Sequence, residues 1–125
     1  MEPFDIITQL SSSDSTEVRE AAFAAADGRV EEAVPALAGL LRSSNLGVQE
    51  AADMALRKIG GGRAVAAIIP LLRSDEAPVR NLSMDLLRAL GGQDLPAVIQ
   101  LLHDEDPDIR IFASDILGAC DNAMA

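Results

Sequence analysis

The sequence predicts an all-α chain built as a stack of four helical hairpins, and three observations predict it. The doublets Val18-Arg19, Val48-Gln49, Val79-Arg80 and Ile109-Arg110 recur at intervals of 30, 31 and 30 residues. Within each interval two stretches carry apolar residues three and four apart, the spacing that lines one face of a helix. Nowhere does the apolar-polar alternation of a half-buried strand appear. A hairpin of this size cannot bury both of its apolar stripes alone, so each must be covered by its neighbours. The repeats are expected at residues 4–29, 30–63, 64–93 and 94–125, within a single domain over 1–125.

The first helix of each repeat is marked by a leucine seven residues ahead of the doublet: Leu41, Leu72 and Leu102, each closing a Leu-Leu pair. Val34, Leu37, Leu40 and Leu41 trace its buried stripe, and Ile68, Leu71 and Leu72, then Val98, Leu101 and Leu102, repeat it. In the first repeat Leu10 stands eight residues before Val18, one residue further away. Pro35 and Pro96 each lie five residues before a Leu-Leu pair. Proline is tolerated there in a first turn, where its missing N–H had no acceptor. Pro70, one residue before Leu71, breaks that pattern and predicts a kink or a late start.

The second helix begins near the doublet and runs for about twelve residues, with apolar offsets 0, +3, +4, +7, +8 and +11. These give Val48, Ala51, Ala52, Ala55, Leu56 and Ile59 in the second repeat, and Ile109, Phe112, Ala113, Ile116, Leu117 and Cys120 in the fourth. Small residues at +4 (Ala22, Ala52, Ser83, Ala113) allow close helix packing. Asp106-Pro107 is a start signal, a capping carboxylate followed by a first-turn proline. Gly60-Gly61-Gly62 and Gly91-Gly92 are stop signals, since glycine accepts the left-handed conformation that ends helices.

Composition narrows the function. Among 125 residues, twenty acids against ten bases give a formal charge of -10, which argues against nucleic acid or an anionic membrane as partner. One Cys, one His and no Trp or Tyr leave no material for a disulfide framework, a Cys/His metal site or an aromatic stacking platform. The start Met1-Glu2-Pro3-Phe4-Asp5 is acidic where a secretory signal is basic, and the run Ala64 to Leu72 is too short to span a bilayer. A cytoplasmic protein is expected. Asp104, Asp106, Asp108 and Asp115 have neither the glycine nor the bidentate glutamate of a calcium loop, so a helix cap is the expected role. His103 has no catalytic partner at a telling spacing, and Cys120 falls at a buried offset. No catalytic residue, metal or cofactor is expected.

Pro-Ala-Leu-Ala-Gly-Leu-Leu-Arg (35–42), a polar turn, then Val-Arg or Val-Gln and an Ala-rich helix ending in glycine resembles the short HEAT-like repeat. That family includes the repeats first associated with phycobilisome lyase subunits, and the resemblance covers residues 4–125. It implies a right-handed α-α superhelix, a HEAT-like solenoid of four hairpins. It further implies a structural ladder between neighbouring repeats, with Arg19, Arg80 and Arg110 reaching Asp14, Asp75 and Asp104 or Asp106. Gln49 departs from the pattern, so the ladder should be weaker between the first and third repeats. No His-Glu pairs occur, so the resemblance does not extend to the metal-dependent hydroxylases built from related repeats.

Such stacks bind partners on the concave face lined by their second helices. Offsets +2, +5, +6 and +9 lie outside the buried stripe and present Asp53, Met54, Arg57, Met84, Asp85, Arg88, Ile111 and Asp115 as the partner-binding set. Methionine beside charge suits an adaptable protein-binding surface. Residues 1–32 and 94–125 each sum to -6 around a neutral to basic middle, which favours a partner with basic ends. Arg42, Arg73 and His103 align at the ends of first helices, where they complement the helix dipole. The expected function is a non-catalytic scaffold for another protein. The alternatives are an accessory subunit of a lyase-like enzyme, holding a chromophore or acceptor protein, and a purely structural assembly module. Residues 121–125 stop where a fifth repeat would begin, and Ile116, Leu117 and Cys120 are expected to stand uncovered. The chain is therefore expected to be the N-terminal part of a longer array, or to self-associate through its last repeat.

Overall fold

The computed structural model describes residues 1–124, with side chains described as far as Cys120. The described residues form eight α-helices and no strand: α1 Pro3–Leu10, α2 Ser15–Gly28, α3 Val34–Leu40, α4 Leu46–Ile59, α5 Gly61–Ile68, α6 Ala77–Leu90, α7 Leu95–Gln100 and α8 Pro107–Met124. Short first helices thus alternate with long second helices, as the repeat predicts. The fold of the described residues is all-α. Among the described residues no helix is long and apolar enough to cross a membrane.

The chain divides into two compact units, Met1–Ala64 and Val65–Ala125, with the boundary inside α5. Each unit carries two repeats. In the first, α1 packs on α2, α2 lies along α4, and α3 packs on α4. In the second, α6 lies along α8, the 3-10 segment Ile69–Arg73 packs on α6, and α7 packs on α8.

The second helices begin two or three residues earlier than their apolar stripe, because each is capped from the turn. Asp14 accepts from the Thr16 N–H at 2.9 Å, Asn45 from Val48 at 3.1 Å and Asp106 from Asp108 at 2.9 Å. Glu76, at the same register before α6, makes no such bond. Pro35, Pro78, Pro96 and Pro107 all occupy first turns. Pro70 acts differently. The helix α5 starts early, at Gly61, and at Pro70 the chain tightens into the 3-10 segment Ile69–Arg73. Proline has no N–H to return to the carbonyl four residues back, so the α-helical ladder ends there rather than starting late.

The glycine stops also divide. Gly60 ends α4 at φ 59° and ψ -156°, a conformation costly for any other residue. Gly91, after α6, has φ -58° and needs no conformational freedom. There glycine makes room: a Cβ would lie 3.1 Å from both Cys120 Sγ and Ile116 Cγ2. At the end of α2 it is Arg29, not Gly28, that takes the left-handed conformation, at φ 47°.

The predicted stripes are buried along their centres, while Leu40, Ile59, Leu82, Leu102 and Phe112 are half-buried. Val18, Val48, Val79 and Ile109 all lie in the core, as do the small residues Ala22, Ala52, Ser83 and Ala113. Ser83 meets its polar requirement by donating to the Val79 carbonyl at 2.9 Å. One expectation fails. Ile116 and Cys120 are buried and Leu117 is half-buried, instead of standing uncovered. Ile116 and Cys120 pack against Gly91, and Leu117 is the part of that surface that stays partly exposed. The residues 121–125 on which the array ending was read have no described side chains, and Ala125 lies outside the described residues.

Candidate functional site

In the second unit, the outward offsets of α6 and α8 converge on a groove of about 520 Å³, lined by Asn81, Met84, Asp85, Arg88, Ile111, Phe112 and Asp115. Arg88 organises it. Its Nη1 donates to Asp85 Oδ1 at 2.8 Å, one turn back on the same helix. Its Nε and Nη2 donate to Asp115 Oδ1 and Oδ2 at 3.0 and 2.8 Å, a bidentate pair across to α8. The guanidinium holds the Asp115 carboxyl below the usual carboxylate range, so the group stays ionised at ordinary pH. Two carboxylates share one cation, and Ile111 stands beside them 65% exposed.

Two residues differ from the sequence reading. Met84, expected on the surface, is 7% exposed. At roughly 100° per residue, offset +5 lies no nearer the buried stripe than +6, and Phe23 and Ser114 at the same offset are exposed, so it is the long flexible methionine side chain that turns inward. Phe112, assigned to the stripe at +3, is half-buried and lines the groove. Offset +3 is the opposite flank of the stripe, so a side chain as large as phenylalanine reaches the rim. Side-chain length, not the offset alone, separates the two.

In the first unit, Asp53, Met54 and Arg57 are neighbours on α4. Asp53 Oδ2 accepts from Arg57 Nε at 3.1 Å, while its buried Oδ1 has no hydrogen-bond partner. Met54 and, on α2, Phe23 are exposed. Lys58 donates to Asp27 at 3.3 Å, joining the ends of the two second helices.

Arg80, Arg110 and Gln49 of the expected ladder bond backbone carbonyls and not carboxylates, and Arg110 reaches the expected Asp104 in this way. Arg80 Nη1 donates to the Ser74 carbonyl at 2.6 Å, and Arg110 Nη1 to the carbonyls of Asp104 and Glu105 at 2.6 and 3.2 Å. Gln49 Nε2 donates to the Leu41 carbonyl at 2.9 Å. Each reaches from the first turn of a second helix back to carbonyls that the preceding segment leaves unsatisfied. Gln49 thus makes a bond of the same kind, to a carbonyl two residues earlier in the register. Arg19 runs beside Gly47, where a Cβ would lie 3.5 Å from its Cδ and Nε.

The turn side chains are occupied elsewhere. Ser12, Ser43, Ser74 and Asp104, at one register, each accept the N–H two residues on, at 2.9–3.2 Å. The sequence carries this recurrence as Ser, Ser, Ser and Asp, each two residues before Asp14, Asn45, Glu76 and Asp106. Pairing between repeats within each unit comes instead from Lys58–Asp27, Arg73–Asp104 and Arg88–Asp115.

Among the described residues no group of three or more His, Cys, Asp or Glu is placed to hold a metal ion. Asp104 and Asp106 act as turn and cap acceptors. Cys120 is buried, and burial pushes its thiol up, away from the thiolate a nucleophile needs.

A family model of HEAT repeats matches residues 5–88, and a HEAT repeat model matches residues 95–121. No curated protein matches the chain significantly. Two engineered proteins of known crystal structure are similar to it. One is 22% identical with a TM-score of 0.60 over 96% of this chain, and the other 23% identical with a TM-score of 0.56 over 93%. The chain spans 63% and 36% of their respective lengths. At that identity the likeness concerns the fold.

Proposed function

The chain belongs to the HEAT repeat family, and from that premise we propose that it is a non-catalytic scaffold holding another protein against the exposed face of its second helices. HEAT repeats generally mediate protein–protein interaction, and their solenoids are typically non-catalytic. The observation that carries the reading is the groove between α6 and α8, where an exposed isoleucine lies beside a fixed cluster of charges. An arginine tied at three nitrogens has already lost its rotamer freedom, so a partner docking there does not have to order it. Covering Ile111 contributes on the order of 1–2 kcal/mol. A cytoplasmic setting is part of this proposal, supported by the single unpaired cysteine.

The test is affinity capture from the native host with the wild-type chain and with Ile111→Glu and Asp85→Lys. Both side chains are at the surface, so helicity by circular dichroism should be unchanged. Proteins that co-purify specifically with the wild type should fall by about tenfold, the effect of losing roughly 1.4 kcal/mol. Full retention of every co-purifying protein by both variants would remove this surface from the function.

A further inference from the structure

Resting on that reading, we infer that the groove between α6 and α8 receives a segment of another protein in which a lysine or arginine adjoins a large aliphatic side chain. The sign of the charge follows from how the three ionised groups are engaged. Arg88 donates from Nε, Nη1 and Nη2. Three of its five N–H donors are engaged, and an incoming carboxylate on the remaining two would lie against the carboxylates of Asp85 and Asp115. Asp85 receives Arg88 through Oδ1, and its side chain is 59% exposed, so an incoming cation adds a partner without breaking a bond. Two carboxylates against one guanidinium leave the groove with a surplus negative charge, within a chain of net charge -10 that steers cations toward it.

The aliphatic half follows from Ile111. Its side chain is 65% exposed at the groove, above the half-buried Phe112 and the buried Met84. Those three residues make one apolar wall, and only an apolar side chain covers it without leaving a polar group unpaired. The volume of about 520 Å³ lies within the range of small-ligand pockets, room for one or two side chains. Adjacent basic and aliphatic residues place one side chain over Ile111 while the other reaches Asp85.

The probes are four blocked hexapeptides in a glycine-serine background, carrying leucine-lysine, leucine-glutamate, leucine-serine or serine-lysine at the centre. They are titrated into the ¹⁵N-labelled full chain. The leucine-lysine peptide should shift amides in residues 81–88 and 111–115 and bind most tightly. Asp85→Asn and 0.5 M salt should each weaken it by up to about fivefold, and Ile111→Ser should abolish its preference over serine-lysine. Equal or tighter binding of leucine-glutamate, equal binding of leucine-serine, or no shift at these amides would overturn the inference. If Ile111→Glu still releases the co-purifying proteins in that event, the surface stands and only its partner chemistry is wrong. If it does not, both readings fail.

Discussion

Gly91 shows how one missing methyl group fixes the packing of the second unit. It is buried, and a Cβ there would sit 3.1 Å from Cys120 Sγ and Ile116 Cγ2 and 3.4 Å from Val98 Cγ2. The side chains that meet it come from α7 and α8, so no single rotamer change relieves all three contacts. Gly91→Ala should therefore destabilise the chain by about 1–3 kcal/mol, the cost of overpacking a dense core. Gly92→Ala is the control, because a Cβ at Gly92 meets nothing within 4 Å. Urea unfolding of both variants checks this, and equal midpoints would mean that the α7–α8 side of the unit is looser than its geometry. The same crowding accounts for Ile116 and Cys120, which close on the glycine instead of facing solvent.

At the scale of the element, the turn before each second helix is a repeated device with one faulty copy. Asp14, Asn45 and Asp106 cap their helices through a side-chain oxygen, and Glu76 does not. The extra methylene of glutamate carries its carboxylate past the N–H groups of the first turn. Asn45→Ala should cost about 1 kcal/mol, Glu76→Ala should be near neutral, and Glu76→Asp should stabilise by about 0.5–1 kcal/mol. Thermal unfolding of the three variants separates the outcomes, and a destabilising Glu76→Asp would refute the account of this cap. What the sequence made legible follows the same division. Periodicity identified Val48, Val79 and Ile109 as core, because a buried stripe must recur every three to four residues. It also brought Arg88, Asp85, Asp115 and Ile111 to one face. It could not tell that Met84 and Phe112 would exchange roles, since both flank the stripe and side-chain length decides. Nor could it find the acceptors of Arg80 and Arg110, because those depend on which carbonyls a 3-10 turn leaves free.

At the scale of the whole molecule, charge sets a balance that salt can tip. The first unit carries ten acids and six bases, a sum of -4, and the second ten acids and four bases, a sum of -6. Against this repulsion stand ion pairs such as Lys58–Asp27, Arg57–Asp53 and the Arg88 cluster, all on partly exposed side chains. Exposed pairs contribute about 0–1 kcal/mol each. Raising the salt from 10 to 100 mM shortens the screening length from about 30 Å to about 10 Å. Contacts near 3 Å lie well inside either length, whereas repulsion between charges farther apart falls as the length shortens. Screening should therefore remove more repulsion than attraction, and net charge far from zero is itself destabilising. The melting temperature should rise by roughly 3 °C over that interval, the shift expected for about 1 kcal/mol in a chain of this size. Circular dichroism at 222 nm in sodium chloride checks it. A falling melting temperature would mean that the inter-repeat pairs outweigh the repulsion, and that Arg88 holds α6 to α8 more strongly than an exposed cation should.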